Sequence, residues 1–327
     1  MNSFGRLFRL HIYGESHGEV AGILIDGCPP GLPLKTADFQ KDLARRKGGR
    51  AGTTGRVEAD TVQIRSGLFN GKTTGAPLCL EFSNQEMRSK DYEIFKDIPR
   101  PGQADLTASQ KFYGFNDYRG GGHFSGRLTV GLVAAGVVAR KIIRPVSIRA
   151  KLIEAGGEKN IQKAVEQAVK ERDSIGGIIE CLANRVPPGL GEPFFDSVES
   201  LISHLIFSIP GVKGIEFGAG FASARMKGSE HNDLIISREG KTATNHAGGI
   251  NGGLTNGNPL VFRLAVKPTA SIPQPQLTFN LKTGRREYLE IKGRHDVCIA
   301  LRVPVIVEAA VAIVLADLLL LRKSQLV

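Results

Sequence analysis

Two segments of this chain are apolar on nearly every face of a helix, and that narrows the fold before any motif does. Leu128 to Ile143 is built of small and apolar residues almost all round, and Val303 to Leu321 is nearly long enough to cross a bilayer. Pro304, Glu308 and Asp317 interrupt the second run, and each acidic group would cost about 3 kcal/mol at the centre of a membrane. The expectation is therefore a helix buried in a core or an oligomer interface, with no membrane partner. A helix lacking a polar face has to be covered on several sides, which calls for layers of other structure around it.

Short strands supply candidates for those layers. Val20 to Ile25 reads as a strand closed by turn residues, and Thr36 as the cap of a helix running to about Arg46. Strands are expected at Val62 to Ser66 and Leu78 to Phe82, and a long functional loop from Ser83 to Gly126, where periodicity fades and glycines and charges accumulate. The second half repeats the pattern, with strands near Val146 to Ile153, Gly177 to Asn184, Gly214 to Phe217 and Leu260 to Val266, and a helix near Ser197 to Phe207. Glu158 to Glu171 reads as a superficial amphipathic helix with Ile161, Ala164, Val165, Ala168 and Val169 on its apolar stripe. Each half ends in an apolar helix preceded by an Arg-rich glycine motif. No linker-like tract separates them, so a pseudo-duplicated α+β single domain over residues 1–327 is expected.

Lys and Arg number 43 against 32 Asp and Glu, a formal charge of +11, which suits a polyanionic partner: nucleic acid or a small phosphorylated ligand. Against nucleic acid stand the absence of Trp, the 6% aromatic content and the placement of cations in glycine-rich loops rather than on a helix or stacking platform. Cys28, Cys79, Cys181 and Cys298 form no Cys-x-x-Cys pair, so neither a metal knuckle nor a disulfide framework is supported. The N-terminus has no apolar run long enough for a signal peptide. A reducing, cytoplasmic setting fits both observations.

Four polar clusters stand out. Gly14-Glu15-Ser16-His17-Gly18 sets a carboxylate, a hydroxyl and an imidazole between glycines, where a backbone could approach a ligand and His17 could act as a general acid. No Gly-x-Ser-x-Gly elbow accompanies it, which argues against a hydrolase. Arg45 to Arg56 places Arg46, Arg50 and Arg56 on a glycine-rich loop suited to phosphate or carboxylate oxygens, though without the Gly-x-x-x-x-Gly-Lys-Ser/Thr of a P-loop. Asp117 to Thr129 opens three glycines directly into the first apolar helix, as an anion site at a helix start would. The fourth cluster is spread over Asn245 to Gly253, Lys267 to Ser271 and Gly293 to Asp296.

Gly-Glu-Ser-His-Gly at 14–18, Arg-Gly-Gly-Gly at 119–122, Asn-His-Ala-Gly-Gly-Ile at 245–250, Lys-Pro-Thr-Ala-Ser at 267–271 and Gly-Arg-His-Asp-Val-Cys at 293–298, in this order, strongly resemble the chorismate synthase family. The resemblance is collinear from about Phe4 to Leu321 and includes Arg100-Pro101-Gly102-Gln103-Ala104-Asp105. It implies a β-α-β sandwich, two antiparallel sheets flanking a helical layer, in a homotetramer. It also implies conversion of 5-enolpyruvylshikimate 3-phosphate to chorismate by 1,4-anti elimination of phosphate, with reduced FMN required but no net redox change. By motif match, His17 protonates the departing phosphate, with Ser16 and Asp296 ordering groups near the flavin. Arg46, Arg50, Arg56 and Arg127 bind substrate anions. His123, Phe124, Ser125, Gly252, Lys267, Pro268, Thr269, Ala270, Ser271 and Arg294 fall where the family holds FMN or substrate, and no metal is implied.

Two positions depart from the family pattern. Gln103 stands where a histidine is common, and Gln cannot titrate near neutrality. Either donation alone stabilises the reduced flavin, or another group such as His123 supplies the proton, or the chain is slow or has lost turnover and keeps ligand binding. His123-Phe124 replaces a commoner Arg-Ser. No Rossmann fingerprint is present, so reduction of the flavin by bound NADPH and by an external flavin reductase both stay open. The charge excess now has addresses: Arg46, Arg50, Arg56, Arg119, Arg127, Lys267 and Arg294 are expected to converge on one pocket.

Overall fold

The computed structural model describes residues 2–56, 58–85, 89–291, 293 and 295–325. Alternation of buried and exposed side chains decides the strands. Ala21, Ile23 and Ile25 are wholly buried on one face of Val20–Asp26, and Leu78, Leu80 and Phe82 on the same face of Leu78–Ser83. These strands pair antiparallel with Ile23 opposite Leu80. The sheet runs Ser3–Phe4, Arg9–Gly14, Val20–Asp26, Leu78–Ser83, Gln63–Ser66, every neighbour antiparallel. The second sheet runs Val212–Phe217, Leu260–Val266, Gly177–Asn184, Ser147–Ala155, again wholly antiparallel, with Phe262 opposite Cys181 on its buried face.

Between the sheets lie the two apolar helices, Thr129–Ile142 and Pro304–Gln325. The first packs on the first sheet, the second on the second sheet, and each on the other. Close approach is set by small residues: a Cβ on Gly136 would lie 2.3 Å from that of Ala309, and one on Gly131 3.1 Å from Cβ of Ile23. Ala37–Arg46 and Val198–Phe207 flank this pair. The result is an α+β sandwich whose helical layer is covered on both faces, and one apolar cluster runs through it from Phe8 to Leu318.

The two acidic interruptions of the C-terminal helix are satisfied inside the protein. Glu308 accepts both Arg45 guanidinium nitrogens (2.6 and 2.7 Å) and the Ala150 amide (3.0 Å). Asp317 accepts the consecutive amides of Arg6, Leu7 and Phe8 at 2.8–3.1 Å, tying the N-terminal strands to the helix. The helix is long and apolar enough to cross a membrane, but 78% of its most apolar stretch is buried within the protein.

Several details differ from the sequence reading. Thr36 precedes the first helix with helical backbone angles, and its side chain caps no amide. Ser197 does cap its helix, accepting from the Ser200 amide. Val169 is exposed, because the buried stripe of Ile161–Lys170 is carried by Ala164, Val165 and Ala168, and residue 169 falls one step past it. Among the described residues the segment from 83 to 126 contains two short helical stretches, Ser89–Lys96 and Asp105–Lys111, and the turn Arg119–Phe124, whose three glycines leave helical angles. The first of these joins a small apolar cluster of its own with the hairpin Gln276–Asn280/Arg285–Leu289, in which Tyr92, Phe95 and Ile98 meet Leu289 and Ile291. This cluster is separate from the main core.

Candidate active site

One cleft with three adjoining lobes collects most of the polar motifs, and Ser125 and Pro210 border all three. The first lobe is basic. Arg46 enters it from the end of Ala37–Arg46, Arg127 from the start of the helix Thr129–Ile142, Arg56 from the glycine loop and Arg302 from the turn before Pro304–Gln325. Three carboxylates hold these cations. Asp60 accepts from Arg46 Nη2 (2.8 Å) and from Arg127 Nη1, Glu58 accepts from Arg56 Nε (2.9 Å), and Asp296 accepts from Arg302 Nη1 (3.0 Å) and the Thr54 amide (2.9 Å). Arg46 Nε and Arg127 Nη2 are buried with no hydrogen-bond partner among the described residues. Buried N–H groups of this kind are costly unless a ligand satisfies them.

Burial and the buried ion pairs pull against each other here. Burial lowers the Arg46 guanidinium to about 10, still charged at neutral pH, against the opposing pull of Asp60. For Asp60 burial pushes the carboxyl up, but Arg46 and Arg127 together outweigh it and hold it below the ordinary range. Glu58 behaves likewise, its burial outweighed by the hydrogen bonds from Arg56 and the Gln85 amide and by the charge of Arg127.

Ser16 and His17 stand against Gly120, which borders the basic and the second lobe. A Cβ on Gly120 would lie 2.6 Å from His17 Nε2 and 2.7 Å from Ser16 Oγ. The loop reaches this place because Gly120, Gly121 and Gly122 all take left-handed angles (φ 61°, 81° and 52°), which only glycine adopts freely in succession. The Ser16 amide donates to the Gly122 carbonyl at 3.1 Å and closes the contact. His17 is itself held: Nδ1 is 3.0 Å from Ser89 Oγ and the ring packs edge-on against Tyr92 at 5.1 Å. Burial lowers its pKa, and the nearby Arg56 lowers it further. Asn84 ties this loop to the basic lobe, donating to the Glu15 and Gly18 carbonyls (2.9 and 2.8 Å) while accepting from Arg127 Nε (2.9 Å).

The second lobe is lined by the glycine turn, Phe124, Gln103 and the run Lys267 to Ala270. Thr269 Oγ1 is buried there without a hydrogen-bond partner among the described residues. Lys267 Nζ donates to the Gly102 carbonyl (2.7 Å), and burial followed by the charge of Lys213 lowers its pKa. The third lobe is largely apolar, walled by Phe4, Leu10, Ile12, Leu132 and Leu205, with His123 and Gln103 at its polar rim. His123 Nδ1 donates to the Gly14 carbonyl at 2.8 Å.

The structure thus brings together Arg46, Arg56, Arg127, Asp296, His123, Phe124, Ser125, Lys267, Pro268, Thr269 and Ala270 around the cleft, with Ser16 and His17 at its glycine wall. Four expectations need correction. Arg50 does not line the cleft, because the turn at 49–53 swings its guanidinium back onto the Arg45 carbonyl. Gly252 sits in the hairpin Ile250–Asn251/Leu254–Thr255, away from all three lobes. Ser271 is buried behind the wall, where Arg100 and Gln103 both point at its hydroxyl (3.2 and 3.3 Å). Arg119 is clamped by its neighbour Asp117 and lies outside the lining of the three lobes. Arg294 lies outside the described residues. Of the six described cations expected to converge, four line these lobes, and Glu58, Asp60 and Asp296 offset much of the basic charge.

Glu58, Asp60, Asn84, Ser89, Tyr92 and Arg302 were missed by sequence reasoning. A glutamate and an aspartate two residues apart, just after an arginine loop, were the one available signal.

A guanidinium-lined cleft beside a glycine cradle and a buried imidazole defines an enzyme acting on a small, multiply anionic molecule. The family model described as chorismate synthase matches residues 8–320. A chorismate synthase of Chitinophaga pinensis is 60% identical over 326 residues, covering 99% of this chain and 98% of that one. One from Korarchaeum cryptofilum is 45% identical over 346 residues, covering 96% of each. A solved structure, "Crystal Structure of Chorismate Synthase", superposes with a TM-score of 0.74 at 27% identity, over 98% of this chain and 93% of that one. The chain belongs to the chorismate synthase family, whose members are carbon–oxygen lyases of aromatic amino-acid biosynthesis.

Proposed function

We propose that the cleft eliminates phosphate in 1,4-anti fashion from 5-enolpyruvylshikimate 3-phosphate to give chorismate. The observation that carries this reading is the basic lobe: Arg46 and Arg127 hold buried, unpartnered N–H groups beside Arg56 and Arg302, and Arg56 Nη1 lies 3.4 Å from Oγ of Ser16, the neighbour of His17. A substrate with two carboxylates and a phosphate needs several such cations to offset its own repulsion.

The proposed cofactor is reduced FMN, and the second lobe fits a phosphorylated flavin. Lys267, the unpartnered Thr269 hydroxyl and the backbone of Gly120 and Gly121 would hold it, with Phe124 and the apolar lobe beside the rings. When bound, reduced FMN supplies electron density to the breaking carbon–oxygen bond and is recovered unchanged. His17 holds the proton for the departing phosphate at Nε2, since Nδ1 is engaged by Ser89. A bound phosphate would oppose the influence of Arg56 and raise the affinity of His17 for that proton. Ser16 orders this corner through its contact with Arg56 Nη1 (3.4 Å), and Asp296 orders Arg302. The 89–111 segment borders the cleft through Tyr92, Gln103 and Ala108, and with the 276–289 hairpin packed on it would exclude water from a bound substrate.

Gln103 acts as a donor that does not titrate, with His123, which borders the same apolar lobe, as the candidate proton source. The exposed Phe194, Phe195 and Phe221 favour self-association, proposed to be a homotetramer, and four free cysteines suit a cytoplasmic setting. The test is an anaerobic assay of the purified protein with FMN and dithionite, reading phosphate and chorismate together. Absence of both products defeats the proposal. Replacing dithionite by NADPH separates self-reduction from dependence on an external flavin reductase.

A further inference from the structure

Asp60 belongs to none of the motifs read from the sequence, yet each of its carboxylate oxygens serves one arginine of the basic lobe. Oδ2 accepts from Arg46 Nη2 at 2.8 Å and Oδ1 from Arg127 Nη1. The carboxylate is fully buried and both guanidinium side chains are almost so. The residue also holds a left-handed backbone angle, φ 49°, which costs energy for any side chain and is tolerated best by Asn and Asp.

We infer that Asp60 is a positioning residue: it locks Arg46 and Arg127 into one rigid fork, so that the two guanidinium groups lining the basic lobe are presented together to a substrate anion. The inference rests on the reading of the basic lobe as the substrate-anion site. Charge alone argues the other way, because a carboxylate this close to an anion site repels the anion. A buried ion triad is also weak as a purely stabilising device, since its dehydration offsets most of its attraction. What only a carboxylate provides here is two acceptors in one plane, one per arginine. Asparagine keeps the shape and tolerates the backbone angle but offers a single acceptor. Its amide nitrogen would face a guanidinium N–H, so one arginine is released.

The experiment compares Asp60→Asn with the natural protein in turnover of 5-enolpyruvylshikimate 3-phosphate and in stabilisation by inorganic phosphate, read as the phosphate dependence of the melting temperature. Loss of one charge-assisted hydrogen bond to an anion predicts a KM about ten- to a hundredfold higher with kcat changed much less, and a similar loss of phosphate affinity. A KM that is unchanged or lower overturns the inference, because that is what charge removal without repositioning gives. Should Asp60→Asn not fold, Arg46→Met and Arg46→Met/Asp60→Asn are compared. With Arg46 gone a single acceptor suffices for Arg127, so the two KM values are expected to agree, and a further tenfold rise or a fall in the double variant overturns the inference. If the natural protein makes no chorismate, the proposed function fails while the phosphate titration still reads Asp60. Equal phosphate stabilisation of both proteins, or none in the natural one, refutes the fork.

Discussion

Gly120→Ala tests whether His17 does its work at the glycine wall. The added Cβ would lie 2.4 Å from His17 Cδ2, 2.6 Å from Nε2 and 2.7 Å from Ser16 Oγ, where non-bonded carbon contacts settle near about 3.5–4.0 Å. The imidazole must therefore retreat by about 1 Å, against the Ser89 hydrogen bond and the Tyr92 ring that hold its far side. A misplacement of about 1 Å is enough to cost about a hundredfold in rate. The backbone adds its own penalty: alanine at φ 61° is disfavoured by about 1–2 kcal/mol, a fall of a few degrees in Tm for a chain this size. Gly114→Ala serves as the control. It too has a left-handed angle (φ 80°), with no atom within 4 Å of its Cβ, so it should lose a comparable increment of stability and no activity. The assay is anaerobic kcat with saturating substrate and reduced FMN, alongside thermal denaturation. If Gly120→Ala keeps kcat within about threefold of the natural chain while its Tm falls, the placement of His17 in the chemistry is wrong.

The pH profile offers a second test of the same group. Burial and Arg56 lower the His17 pKa, so kcat/KM should decline as pH rises through a value below 6.5, and Arg56→Gln should move that limb upward; a limb that stays put argues against His17 as the acid. The same depression makes folding stability rise with pH between the folded value and 6.5, because the unfolded chain binds the proton more readily there; a stability difference from His17→Gln that is flat across this window contradicts it. Glu308→Ala leaves Arg45 and the Ala150 amide without their buried acceptor. Breaking a buried pair costs about 3–5 kcal/mol, reduced to about 2–4 because Arg45 is partly exposed, and urea denaturation should show the loss as a lower midpoint. Gln103→His adds a titrating group where Gln103 Nε2 now sits 3.3 Å from Ser271 Oγ. With His123 on the same lobe, kcat should change by less than about tenfold, and a gain of several orders of magnitude would mark the natural chain as catalytically impaired.

Local pattern carried a good part of this protein. The two helices with no polar face demanded cover on both sides, and the strands that provide it were readable from alternation at Val20–Asp26, Gly177–Asn184 and Leu260–Val266. The edge strand Ser3–Phe4 and its neighbour Arg9–Gly14 were not, because partners such as Ile23 opposite Ile12 lie further along the chain and their own burial is mixed. Motifs picked out many of the residues that line the cleft, since glycines and arginines at fixed spacing are a local signature. They misplaced Arg50 and Gly252 for a matching reason: a motif gives residue types in order but not the direction in which a turn aims them.

The sequence by itself determined which helices had to be buried, where cations and glycines gather, and, through five collinear motifs, the family. Tertiary structure alone decided which cations face the cleft and what keeps them there. Arg127 meets Asp60 across 67 residues, Arg302 reaches the Arg46 carbonyl across 256, and Arg45 meets Glu308 across 263. Pairings at such separations leave no periodicity in the chain. They arise when packing removes water from the charges and leaves each one to find its counterpart in space.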